Sequence, residues 1–160
     1  MGFLKEKDVV NYLVENWNRF FPDLEGCKKE FKIRNSRVDI FSSLPVNLKD
    51  LGLRETDTFA KAAVFCEVKY DSDMRDLMFE IQKHISFRDW YINYGKAFCM
   101  IIVISDKFDY EMVKFMEYNN IFMYKINIEN NDLTTLTLEE YTLSSKEIEE
   151  GINKEEVVNS

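Results

Sequence analysis

Residues 97–104 read Ala-Phe-Cys-Met-Ile-Ile-Val-Ile, eight apolar positions in a row that end at Ser105. A strand without polar side chains has to be covered on both faces, and strands of that kind belong to sheets sandwiched between helices. The run, taken as a strand over 96–105, therefore points to a layered α/β fold. It is far shorter than the roughly 20 residues that a membrane helix needs, and the N-terminus carries no apolar signal core, so a membrane is not an expected partner. Cys27, Cys66 and Cys99 are odd in number and far apart, which suits neither a disulfide framework nor a zinc ribbon and fits a reducing cytoplasm. A chain of 160 residues holds one ordinary core. We read a single domain over 1–143 and an acidic tail or helix over 144–160, where residues 146–156 hold five Glu against two Lys.

Hydrophobic period assigns the other elements. Val9, Val10, Leu13, Val14, Trp17, Phe20 and Phe21 recur at three- and four-residue steps, predicting an amphipathic helix over 5–21 that Pro22 and Gly26 close. Residues 28–33 and 37–41 favour strands and read as a hairpin. Residues 42–61, with Pro45 and Gly52, form a long polar connection and a candidate substrate-contacting loop beside the site. Next come a strand over 62–70, a helix over 76–94 stopped by Gly95, the apolar strand, a helix over 108–120, and strands over 121–128 and 133–143. The expected architecture is a mixed central sheet flanked by helices.

Chemistry concentrates on two of these strands. In Arg37-Val38-Asp39-Ile40-Phe41 the two-residue period sends Val38 and Ile40 to one face and Asp39 to the other. In Phe65-Cys66-Glu67-Val68-Lys69 the same period puts Glu67 and Lys69 side by side, opposite Cys66 and Val68. Two carboxylates converging from neighbouring strands make a hard oxygen site for Mg²⁺, with Mn²⁺ as an alternative, and a bound ion can activate water against a phosphodiester. Lys69 would position or deprotonate that water. The plainer account is a surface cross-pair and an acid that ends a hairpin. On the first helix Glu6 projects onto the face of Val10, Leu13, Trp17 and Phe20 while Glu15 falls opposite. A carboxylate on a buried stripe requires a partner or a metal; at a helix start it also complements the dipole. On the second helix Met78, Ile81 and Ile85 form the expected buried stripe, with Gln82 at its margin in reach of the Glu67 strand. His84, the sole histidine, reads as surface or core rather than site.

Asp39, Glu67-Val68-Lys69 and Gln82 on the following helix, preceded by a helix bearing Glu6, together resemble the PD-(D/E)XK nuclease superfamily. The stretch from Glu6 to Asn16 followed by Arg37-Val38-Asp39-Ile40 is similar to archaeal mismatch endonucleases and to Mrr-like and RecB-like nuclease domains, with coverage over about 6–105. The resemblance implies a restriction-endonuclease-like core of order αβββαβ, with a C-terminal helix and strands added. It implies an endonuclease that cleaves DNA, in which Asp39 and Glu67 bind magnesium, Lys69 serves the attacking water, Glu6 completes or supports the metal site, and Gln82 orients the lysine or the water. Three departures stand out: Val38 in place of Pro, Ser86 where many relatives have Tyr, and a longer connection after Asp39.

The formal charge of −8 opposes a broad nucleic-acid-binding face. It keeps open a second reading, a non-catalytic module that binds DNA or protein with the same fold. DNA is the expected partner ahead of RNA, and a homodimer is expected because cutting both strands of a duplex takes two sites.

Overall fold

In the computed structural model residues 4–33, 36–71, 74–94, 98–147 and 149–150 are described. The elements in chain order are α1 (Glu6–Glu15), α2 (Trp17–Phe20), β1 (Glu25–Ile33), β2 (Ser36–Asn47), β3 (Phe59–Lys69), α3 (Met74–Tyr94), β4 (Cys99–Ser105), α4 (Tyr110–Tyr118), β5 (Phe122–Glu129) and β6 (Asp132–Tyr141). All six strands form one sheet in the order β1-β2-β3-β4-β5-β6. The first three are antiparallel, β3, β4 and β5 run parallel, and β6 returns antiparallel. Gly95, the expected helix stop, and residues 34–35 of the hairpin turn lie outside the described residues. Of the expected C-terminal tail or helix, residues 144–147 and 149–150 are described and are helical.

The apolar run does what its composition requires. Ile101 and Val103 of β4 pack with Phe65, Leu77, Ile81 and Met112 on the face covered by α3 and α4. Ile102 and Ile104 pack with Val9, Leu13, Trp17 and Val64 on the face covered by α1 and α2. Two cores on opposite sides of one sheet result, each fully buried Ile or Leu contributing about 1.5–3 kcal/mol. Among the described residues no helix is long and apolar enough to cross a membrane.

The expected single first helix breaks at Asn16, whose backbone leaves helical geometry (φ −118°, ψ 25°). Its side-chain amide donates to the Tyr12 carbonyl at 2.9 Å, the local competition that makes asparagine a poor interior helix residue. Gly26 does not close a helix; it sits in β1 at φ +66°, where the register to β2 shifts. That is the left-handed position a bulge asks of glycine.

The largest departure is β2, which runs on to Asn47 and pairs with β3 as far as Asn47 and Phe59. Pro45 is accommodated because β1 pairs with β2 only up to Ser43, so one side of β2 needs no N–H there. The connection shrinks to residues 48–58. Ser42, 1% exposed, ties the layers together: its Oγ accepts from Trp17 Nε1 at 3.1 Å and donates to the Gly26 carbonyl. Ser42→Ala should cost about 1–3 kcal/mol, the penalty of leaving the indole N–H buried without an acceptor. A denaturation midpoint unchanged from wild type would contradict this.

Candidate active site

At Ile40 and Cys66 the pairing of β2 with β3 stops. Toward the hairpin the two strands part, and the Val68 N–H donates to Asp39 Oδ2 at 2.9 Å. A side-chain carboxylate thus takes the place of a ladder carbonyl, which satisfies an amide that would otherwise be orphaned. The simple alternation expected around Asp39 fails here. Val38 packs on the α3/α4 face and Ile40 on the α1/α2 face, so the chain bends between them. On the neighbouring strand Glu30 sits at φ 52°, between the pairs Lys29 with Ile40 and Phe31 with Val38. Distortion on both strands aims Asp39 into the fork.

Glu67 projects from β3 toward α3 and is 4% exposed. Its Oε1 lies 2.7 Å from His84 Nε2, and His84 is 2% exposed. Burial, reinforced by the negative charge of Asp39 and a hydrogen bond between the two carboxyls, pushes the Glu67 carboxyl up to about 10. Burial also lowers His84 below its ordinary value, although the nearby Glu80 and Asp39 charges oppose that shift. One arrangement satisfies all three groups: His84 Nε2–H donates to Glu67 Oε1, and the protonated Glu67 donates to the Asp39 carboxylate.

The Glu67 and His84 pair has a legible pH signature in the metal-free protein. Folded, the two hold one proton between them over a wide range; unfolded, Glu and His titrate near 4.5 and 6.5. Just below the histidine value the unfolded pair also holds one proton, and the pair adds no slope. Above the histidine value the unfolded pair holds none, so stability falls with rising pH until Glu67 ionises near 10. The alkaline limb should be no steeper than about 1.4 kcal/mol per pH unit, and Glu67→Gln should flatten it. An alkaline limb that survives the substitution would refute the assignment.

Lys69 and Glu67 do not stay side by side. Glu67 turns to α3, whereas the Lys69 ammonium stands 3.9 Å from Glu6 Oε1 at the start of α1. Glu6 is half-buried and Glu15 exposed, the phase the helix period predicts. Glu6, Lys7, Asn11, Lys29, Glu30 and Asp39 line one open cleft of 540 Å³ between α1 and the sheet. Gln82 is exposed on α3; the fully buried stripe of that helix is Leu77, Ile81 and His84, which brings the histidine and not the glutamine to the Glu67 strand. Met78 and Ile85 are partly buried beside that stripe. The connection 48–58 joins the ends of β2 and β3 remote from the fork, about 26 Å along the strand from Asp39, so it does not lie beside the site. His84 was detectable in principle, because positions 77, 81 and 84 share one helical face and a histidine on such a face needs a partner.

Asp39 and Glu67 bring two carboxyl groups together, and burial beside the Asp39 charge holds Glu67 protonated in the absence of a cation. Among the described residues no set of three His, Cys, Asp or Glu side chains gathers to hold an ion. Two carboxylates nonetheless suit Mg²⁺, which keeps several waters and needs few protein ligands, so the residues fit that ion. Glu6 enters the site through Lys69. No family model, curated protein or solved structure matches the chain.

Proposed function

We propose that this chain is a Mg²⁺-dependent DNA endonuclease, with Mn²⁺ able to substitute, built on a restriction-endonuclease-like core of the PD-(D/E)XK type. The observation that carries the reading is the convergence of Asp39 and Glu67 at the strand fork, with Lys69 two residues beyond Glu67 on β3 and its ammonium turned to Glu6 of α1. The order α1, then β1, β2 and β3 antiparallel, then α3 and a parallel β4 supports it, being the order the motif resemblance leads one to expect.

Asp39 and Glu67 would hold the ion, whose chemistry when bound is to acidify a water and polarise the phosphodiester. Glu67 must first release the proton it holds, so ion binding should tighten as pH rises. His84 fixes the Glu67 carboxyl from behind. Glu6 holds the Lys69 ammonium at the mouth of the cleft, where its charge faces the phosphate and the attacking water. Gln82, exposed as it stands, reaches that water or lysine only by a change of rotamer when substrate binds. A homodimer would supply a second site for the second strand.

The test is incubation of single-stranded, duplex and branched DNA and of RNA with the protein in Mg²⁺ or Mn²⁺ against EDTA. Metal-dependent cleavage inside the DNA is the expected result. The second reading, a module that binds DNA or protein without cutting, is favoured by the net charge of −8 and by the burial of Glu67 against His84; binding without any cleavage in that panel would establish it.

A further inference from the structure

Charge is unevenly spread along this chain. Residues 1–70 carry 12 Lys and Arg against 11 Asp and Glu, whereas residues 71–160 carry 9 against 18. The fold collects much of the basic share on one border. Edge strand β1 and the adjoining start of β2 expose Lys28, Lys32 and Arg37, and the start of α1 exposes Lys5 and Lys7. Lys29 reaches from β1 to Asn11 of α1, donating to its side-chain oxygen at 2.8 Å. Lys7 and Lys29 line the cleft that also holds Asp39, so the basic border runs into the candidate site.

Two features of this border call for a polyanion. Lys32 and Arg37 are direct cross-strand partners, an arrangement of like charges that destabilises a sheet. None of the ion pairs among the described residues includes Lys28, Lys32 or Arg37. Lysines on an edge strand also guard it against pairing with another chain. That role accounts for Lys28 and Lys32 but not for Lys5 and Lys7, which stand at the N-cap and in the first turn of α1.

We propose that the sugar-phosphate backbone of DNA lies along the β1–β2 edge and the start of α1, with Lys5, Lys7, Lys28, Lys29, Lys32 and Arg37 contacting phosphates and the Asp39 cleft receiving the strand. The choice of DNA as the polyanion rests on the nuclease reading. The acidic second half of the chain repels the same backbone and so orients it on this border. A protein with a formal charge of −8 can then hold DNA, because affinity follows the local phosphate contacts made.

The decisive experiment measures anisotropy of a labelled DNA duplex in EDTA, where binding is read without cleavage. The combined variant Lys28→Glu, Lys32→Glu, Arg37→Glu should bind at least ~10-fold more weakly, with the slope of log affinity against log salt shallower by about 2–3. Its Mg²⁺-induced thermal shift should match wild type. The combined variant Lys114→Glu, Lys125→Glu, Lys146→Glu makes the same change in net charge elsewhere and should lose far less. If the reversed-charge edge fails to fold, Gln at the same three positions should show a smaller loss in the same direction. A wild type that does not bind the duplex, or an edge variant that loses no more than the control, overturns the proposal. Binding through this edge without cleavage in Mg²⁺ sinks the nuclease reading and leaves the surface standing; cleavage by a wild type whose edge variant binds normally sinks the surface alone.

Discussion

Lys69→Ala is expected to lower the rate of metal-dependent DNA cleavage by ~10²–10⁴-fold, the range that a positioned proton-transfer or charge-stabilising group contributes. Three observations set the expectation. Lys69 lies two residues after Glu67 on β3, its ammonium is 3.9 Å from Glu6 Oε1, and its side chain is only 20% exposed, so the charge is held near the site rather than dispersed in solvent. Fold stability should change little, because a partly exposed pair of this kind contributes about 0–1 kcal/mol. The Mg²⁺-induced thermal shift should survive, since the lysine serves water and phosphate and not the ion. Glu6→Gln should lower the rate less than Lys69→Ala, and Glu15→Gln should leave it near wild type, because Glu15 is on the exposed side of α1. Wild-type cleavage by Lys69→Ala would remove the lysine from the mechanism.

The second large effect concerns the ion itself. At a Mg²⁺ concentration about 100 times its Kd, binding to the folded state alone stabilises by ~2.7 kcal/mol, which for a domain of this size raises Tm by about 5–10 °C. Asp39→Asn should abolish that rise. The substitution is conservative for the fold: the asparagine oxygen can still accept from the Val68 N–H, which Asp39 Oδ2 now does at 2.9 Å, and the amide nitrogen can donate to Glu67. Removing the Asp39 charge also removes one of the influences that hold Glu67 protonated. Metal-free Asp39→Asn should therefore melt at or above the wild-type temperature, most visibly at alkaline pH. A full Mg²⁺ shift in this variant would show that the ion binds elsewhere. Loss of the shift together with a large drop in metal-free Tm would show that Asp39 serves the fold first.

Elements set by short-range periodicity were the ones legible in the sequence. The phase of α1 placed Glu6 inward and Glu15 outward, as found. The alternation over residues 65–68 put Glu67 and Phe65 on one face and Cys66 and Val68 on the other, as found. The extent of β2 was hidden because residues 42–47 carry Pro45 and polar side chains. Their strand conformation comes from pairing with Phe59–Ala63, partners supplied by a segment well downstream. Taking Met78, Ile81 and Ile85 as the axis of the buried stripe puts Gln82 nearer the Glu67 strand than the structure does. The helix in fact buries Leu77, Ile81 and His84, a rotation of less than one residue position that exchanges a glutamine for a histidine at the strand.

By itself the sequence determined the layered α/β architecture, the strand address of Asp39, Glu67 and Lys69, and the inward phase of Glu6, since each follows from steric periods of 2 and 3.6 residues and from the need to bury apolar runs. Only the tertiary structure decided that β2 and β3 part beyond Ile40, that Asp39 answers the Val68 N–H there, that Glu67 meets His84 while Lys69 meets Glu6, and that the 48–58 connection lies far from the site. These are contacts between residues 17 to 63 positions apart in the chain. Their geometry depends on the register and twist of whole strands and on how each helix rolls against the sheet, and no local period specifies those.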